Sequence, residues 1–213
     1  MEPTRLIIVR HGETQWNIEG RRQGHLDSPL TAQGRAQAEA LARRFTTGSC
    51  SAVYSSDLGR AYDTARAIAE NTGHQVVSDH RLRERHLGIF QGLDGDEIRD
   101  RYEDEYEKHK AGGADYAVPG GESFNDQVSR NLHCLEELAE RHAGNAIIVV
   151  THGGVLSALF RHTLSISLDA PRRFAFKNAS VNLFKYQDKI WGLETWGDIS
   201  HLNNIDALDL SYF

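Results

Sequence analysis

Two short apolar runs, far apart in the chain, end in the same way. Leu6-Ile7-Ile8-Val9 leads into Arg10-His11-Gly12, and Ile147-Ile148-Val149-Val150 leads into Thr151-His152-Gly153-Gly154. Short apolar runs of this kind read as strands, and a helix-like stretch follows the second. In an open α/β sheet, ligands bind beyond the carboxyl ends of the strands. Two imidazoles delivered there from distant segments can face one small substrate. A glycine after each histidine lets the backbone turn sharply, and its N–H is expected to lie open to an anion.

The rest of the chain alternates the same two signals. Thr31 is an N-cap for an alanine-rich helix to about Phe45, and Ala52-Val53-Tyr54 is a short strand. Asp57 is expected to cap a helix to about Glu70, closed by Thr72-Gly73, and Gln75 to Val77 forms a strand. Ser123-Phe124-Asn125-Asp126 resembles a capping box and opens a long helix to about His142. Ala146 to Val150 is a strand and Val155 to Leu164 a helix. Val181 to Tyr186 and Lys189 to Thr195 read as a hairpin around Gln187-Asp188. The expected fold class is therefore α/β, in three layers. A mostly parallel central sheet is flanked by helices and closed by an antiparallel ribbon. Residues 1–213 form a single domain, with a small helical insertion at about 92–122 over the carboxyl edge of the sheet, where it caps the site. Its acidic stretch lacks calcium-loop spacing and reads as a solvated helix face.

Composition sets limits on function. The net charge of −6 argues against nucleic-acid and acidic-membrane partners, and no apolar run is long enough to span a bilayer. Two cysteines, Cys50 and Cys134, form no CxxC motif, so a disulfide scaffold or zinc cluster is not expected and a cytoplasmic location is. Only five of the 24 basic residues are lysines, which suits a phosphate pocket built from planar arginine forks as well as it suits plain compositional bias.

Further motifs surround the two histidines. Arg10-His11-Gly12-Glu13-Thr14 runs on to Gln15-Trp16-Asn17, and Gly24-His25-Leu26-Asp27-Ser28-Pro29-Leu30-Thr31 follows. Ser55-Ser56-Asp57-Leu58-Gly59-Arg60-Ala61 comes after the second strand, and Leu82-Arg83-Glu84-Arg85 after the third. Gly88, Gln91-Gly92 and Gly120-Gly121-Glu122-Ser123 complete the set. Together these resemble the histidine phosphatase superfamily, also called phosphoglycerate mutase-like, over nearly the whole chain. Within it the chain, including the tail Gly197-Asp198-Ile199-Ser200-His201-Leu202, is most similar to the small bacterial mutase-2-type branch. Many members of that branch act as phosphatases.

The resemblance implies a metal-independent phosphomonoester hydrolase with no cofactor, acting on a small phosphorylated metabolite through a phosphohistidine. His11 would be the nucleophile, its other nitrogen fixed by a backbone carbonyl. Glu84 would be the acid, and Arg10, Arg60 and His152 would hold the phosphoryl oxygens. Asn17, Gln23, Gly24, Gly153 and Arg85 would contact substrate, with Arg21, Arg22 and Arg85 as candidates for a carboxylate or second phosphate. On residue type alone, His11 and His152 are equally ordinary turn residues, Arg60 a surface charge, and Glu84 part of a salt-bridged loop with Arg81, Arg83, Arg85 and His86. Two alternatives stay open: a cofactor-dependent phosphoglycerate mutase and a non-catalytic binding member. Glu84-Arg85-His86-Leu87-Gly88 with Gln91-Gly92 leans toward a mutase, whereas the short insertion leans toward a hydrolase. The apolar end Leu210-Ser211-Tyr212-Phe213 is expected to pack on the body or a partner, and a homodimer through a sheet edge or the C-terminal ribbon is compatible with the sequence.

Overall fold

The computed structural model describes residues 2–203 and 205–207. In chain order the elements are β1 (Thr4–Arg10), α1 (Gln15–Ile18), α2 (Ala32–Arg43), β2 (Val53–Ser55), α3 (Gly59–Thr72), β3 (Val76–Ser78), α4 (Gly95–Arg101), α5 (Glu103–Ala111), α6 (Phe124–Arg141), β4 (Ala146–Thr151), α7 (Gly153–Thr163), β5 (Val181–Gln187) and β6 (Ile190–Asp198). They build one six-stranded sheet in the order β3-β2-β4-β1-β5-β6. The first four strands in that order run parallel; β5 pairs antiparallel with β1, and β6 with β5. The expected α/β architecture is therefore present.

Alternation along β1 sends Leu6 and Ile8 to one face and Val9 to the other. The first face packs against Leu135 and Leu138 of α6 and Val155, Leu156 and Leu159 of α7. The second packs against Leu41 of α2 and Ala61, Ala65 and Ile68 of α3. Helices on both faces require nearly continuous apolar strands, which is why Ile147, Ile148, Val149 and Val150 are all fully buried.

Several boundaries differ from the sequence reading. α3 begins at Gly59, and Asp57 does not cap it: its carboxylate takes the Arg83 fork at 2.7 and 2.6 Å. The hairpin turns one residue later, at Asp188-Lys189, both with positive φ, the geometry that matches the twist of the flanking strands. α7 starts at Gly153, two residues earlier than expected, with His152 at its N-cap. The one-turn α1 has no counterpart in the sequence reading; Thr14 and Asn17 close it as a reciprocal capping box.

In the insertion, Ile98 packs with Phe90 and Val118 in a small cluster of its own, and α5 buries no residue, as its acidic composition suggests. Near the C-terminus, the side chains of Gln33 and Gln37 on α2 donate to the Asp206 carbonyl at 2.9 and 2.6 Å, while Ile205 and Ala207 pack on the core. The expected packing of Leu210 to Phe213 lies outside the described residues. Among those residues, no helix is long and apolar enough to cross a membrane.

One close approach fixes the loop after β1. A Cβ on Gly12 would stand 2.5 Å from the Gly34 carbonyl oxygen, and one on Gly34 would stand 1.9 Å from that of Glu13. The loop rests directly on the first turn of α2, so neither position admits a side chain. Gly34→Ala should destabilise the protein by about 1–3 kcal/mol, the usual range for overpacking. It should also lower turnover by displacing residues 11 to 13. Urea denaturation and steady-state kinetics on the variant check both outcomes.

Candidate active site

The strand ends of β1 and β4 bring the two histidines together. Arg10 lies opposite Thr151 in the parallel register, and the His11 N–H donates to the Thr151 carbonyl at 2.9 Å. The imidazole centroids are 5.3 Å apart, and both rings are buried. His11 Nδ1 lies 2.7 Å from the Gly12 carbonyl, which can only accept. Nδ1 therefore carries the hydrogen, and Nε2 keeps a lone pair. His152 Nε2 lies 2.8 Å from Ser56 Oγ, while its Nδ1 is buried without a protein partner.

A cleft of about 300 Å³ opens beside this pair. Arg10, His11, Asn17, Gln23, Gly24, Arg60, Glu84, Arg85 and Gly153 line it, and His152 sits directly behind His11. Each residue named from sequence as a site candidate thus converges on one place. Arg60, on the first turn of α3, is almost fully buried. Its guanidinium donates to the carbonyls of Leu26 and Gly24 at 2.9 Å each and to Asp27 at 3.0 Å. Arg10 donates to the Phe176 carbonyl at 2.6 Å and lies over its ring. The amide oxygen of Asn17 accepts from Thr14 N–H and Asn178, which turns the amide nitrogen to other partners.

Among the described residues Glu84 makes no ion pair, although its loop does. Arg81 pairs with Asp79 and Glu137, and Arg83 with Asp57. Three N–H groups hold the Glu84 carboxylate instead: Arg85 N at 2.8 Å and Gln127 Nε2 at 3.0 Å on Oε1, and Gly154 N at 2.9 Å on Oε2. Gly154 must lack a side chain, because a Cβ there would come within 2.0 Å of Glu84 Oε1.

Two expectations change. The Gly12 N–H is not open to an anion, since it donates to Thr64 Oγ1 at 3.0 Å. The second concerns only placement: Gln91 does not line the cleft, and its Oε1 accepts from His25 N–H at 2.7 Å, against Gly24. Sequence reading also missed Leu87, Phe124, Gln127, Ser157, Arg172 and Phe176 as cleft residues. Phe124 and Gln127 follow the Gly-Gly-Glu-Ser motif directly, and that adjacency was the available signal. Arg172 and Phe176 lie in an irregular segment without periodicity, and nothing in the sequence marks them.

Six arginines (10, 21, 22, 60, 85 and 172) line the cleft against one carboxylate, Glu84. Burial, then the charges of Arg60 and Arg10, hold His11 well below the usual imidazole range, although the Gly12 carbonyl pulls the other way. Burial, followed by Arg60, His11 and Arg10, does the same to His152. His109 on α5 is pushed down to about 4, by burial and then by Arg85 and Arg22. Among the described residues no cluster of three or more His, Cys, Asp or Glu side chains is arranged to hold a metal ion.

A strand end bearing a buried histidine, fixed guanidinium groups and a carboxyl group in one cleft suit an α/β enzyme for phosphoryl transfer. The sequence profile of the histidine phosphatase superfamily (branch 1) matches residues 6–199. A metal-independent phosphoserine phosphatase of Arabidopsis thaliana is 39% identical over 214 residues, covering 99% of this chain and 88% of the relative. A probable phosphoglycerate mutase, GpmB of Escherichia coli, is 37% identical over 209 residues, covering 96% and 97%. The solved structure of YhfR from Bacillus stearothermophilus superimposes with a TM-score of 0.84 at 35% identity, covering 93% of this chain and 99% of that one. The chain belongs to the histidine phosphatase superfamily. It is a metal-independent phosphomonoester hydrolase of that family, acting on small phosphorylated substrates through a phosphohistidine intermediate.

The lowered histidines tie stability to pH. Unfolded, each imidazole titrates near its ordinary value of about 6.5. Folded, each stays neutral further into acid, so below that value the unfolded chain binds more protons and stability falls. The melting temperature should drop from pH 7 to pH 5, and His109→Gln should reduce that drop. Thermal melts of both proteins at the two pH values check this.

Proposed function

We propose that His11 is the nucleophile and Glu84 the proton donor in hydrolysis of a small phosphomonoester whose leaving group carries a second anionic group. The observation that carries this reading is the His11 Nδ1–H bond to Gly12 O at 2.7 Å, which leaves Nε2 as a fixed lone pair in a cleft that Arg10 and Arg60 also line. Nε2 attacks phosphorus in line, the ester P–O bond breaks, and the leaving oxygen takes the proton from the Glu84 carboxyl. Water then attacks the phosphohistidine and returns a proton to Glu84, and inorganic phosphate departs. Arg10 and Arg60 offer N–H donors to the equatorial oxygens. Ser56 Oγ accepts from Leu58 N–H at 3.3 Å and is free to donate to His152 Nε2. In that arrangement neutral His152 carries its one N–H on Nδ1, a further donor to the phosphoryl group.

Arg22, Arg85 and Arg172 support the second anion. They line the same cleft in addition to Arg10 and Arg60, and Arg85 is braced over the Phe124 ring. Phosphoserine, on which the Arabidopsis relative acts by name, has a carboxylate to offer them. The same proposal places the protein in a reducing cytoplasm, on the free, buried state of Cys50 and Cys134.

His11→Ala should lower phosphate release by on the order of 10⁴-fold or more. Near-normal hydrolysis by that variant overturns the assignment. Because burial and the arginines keep His11 neutral, kcat/KM for the wild type should show no acidic inflection near 6.5, only one well below it. Arg85→Ala should raise KM for O-phosphoserine about 10–100-fold while leaving KM for a neutral alkyl phosphate nearly unchanged. Assays of 3-phosphoglycerate isomerisation run beside phosphate release separate the hydrolase from a mutase.

A further inference from the structure

The segment that carries Glu84 belongs to no long helix or strand, yet each carbonyl from Arg81 to Glu84 is taken by a side chain. Arg81 O accepts from Arg130 at 2.8 Å and from Asn131 at 2.7 Å. Leu82 O accepts from Thr151 at 2.8 Å, and Arg83 O from Arg130 at 3.1 Å. Glu84 O lies 2.8 Å from His25 Nε2 and accepts from Arg130 at 3.3 Å. Arg130 is itself fixed on Glu122 at 2.5 Å, and Glu122 also accepts from His86 N–H at 2.9 Å. Gln127, Arg130 and Asn131 stand three and four residues apart on α6, so one face of that helix meets the segment.

Gln127 goes further and touches the carboxyl group. Both acceptor positions of Glu84 Oε1 are filled, by Arg85 N–H and by Gln127 Nε2, whereas Oε2 accepts from Gly154 N–H. Gln127 is 1% exposed, and its own Oε1 is buried without a protein partner. The amide thus meets the carboxyl group through its N–H end.

We propose that Gln127 and Arg130 are positioning residues for the proton donor: Gln127 occupies Oε1 so that the acidic proton resides on Oε2, and Arg130 fixes the segment behind it. The proposal rests on the reading of Glu84 as the acid. With Gln127 removed, the proton has a second place to sit, on Oε1, and donation to the leaving oxygen is misdirected.

The readout is leaving-group dependence. An alkyl leaving group such as the serine of O-phosphoserine needs a proton, whereas 4-nitrophenolate leaves without one. The measured quantity is the ratio of kcat/KM for O-phosphoserine to that for 4-nitrophenyl phosphate, which does not depend on the fraction of folded enzyme. Gln127→Met and Arg130→Gln should each lower this ratio about tenfold or more, and Glu84→Gln should lower it about 10²–10⁴-fold. An unchanged ratio in both positioning variants, beside a collapsed ratio in Glu84→Gln, overturns the proposal and leaves the acid assignment standing. An unchanged ratio in Glu84→Gln overturns the acid assignment and the proposal with it.

Discussion

Register between β1 and β4 sets Arg10 opposite Thr151, so that His11 and His152 follow one residue later with ring centroids 5.3 Å apart. That register is enforced from both faces. Leu6 and Ile147 belong to one buried layer, and Val9 and Val150 to the other. A slip of one residue would send each layer to the wrong side of the sheet. The histidines are therefore placed by the burial of aliphatic side chains well away from the chemistry. The Gly12–Gly34 approach then fixes the direction of the loop that follows, and the Gly12 carbonyl fixes the imidazole hydrogen.

A second layer of organisation is electrostatic. Burying a guanidinium is costly unless its donors are met, and the two terminal nitrogens of Arg60 are met by the Leu26 and Gly24 carbonyls and Asp27. The loop around Gly24 thereby becomes part of the site, where it also brings Arg21 and Arg22. Arg10 is anchored by the Phe176 carbonyl, and Arg172 covers the other contact of that ring, at 4.5 Å. Phe176 thus offers the negative face of one ring to two cations.

The central architecture was legible because buried parallel strands leave a strong mark. Ile147 to Val150 is apolar at every position, and only a strand covered on both faces tolerates that. The ten site candidates were legible through their motifs and through the carboxyl-edge rule, which says where motif-bearing loops meet. Less visible were features set by competition between partners. Asp57 has the chemistry of an N-cap, yet a two-pronged bond to Arg83, twenty-six residues away, outweighs one N–H. Gly12 looks like an anion cradle, but Thr64 on α3 reaches its N–H first. Gln91 reads as a family signature until its amide is seen holding His25. Arg172 and Phe176 had no periodic or motif context at all. In each case the missing information is the identity of a neighbour brought in by the fold.

Burial first, and then the same cations that would grip a phosphoryl group, hold His11 unprotonated. Affinity and reactivity thus draw on one electric field rather than two. A chain drifting away from either guanidinium weakens the positive field of the cleft and its hold on the His11 proton together. Arg10, His11 and Arg60 consequently form one heritable unit, while the rim around them is free to diversify.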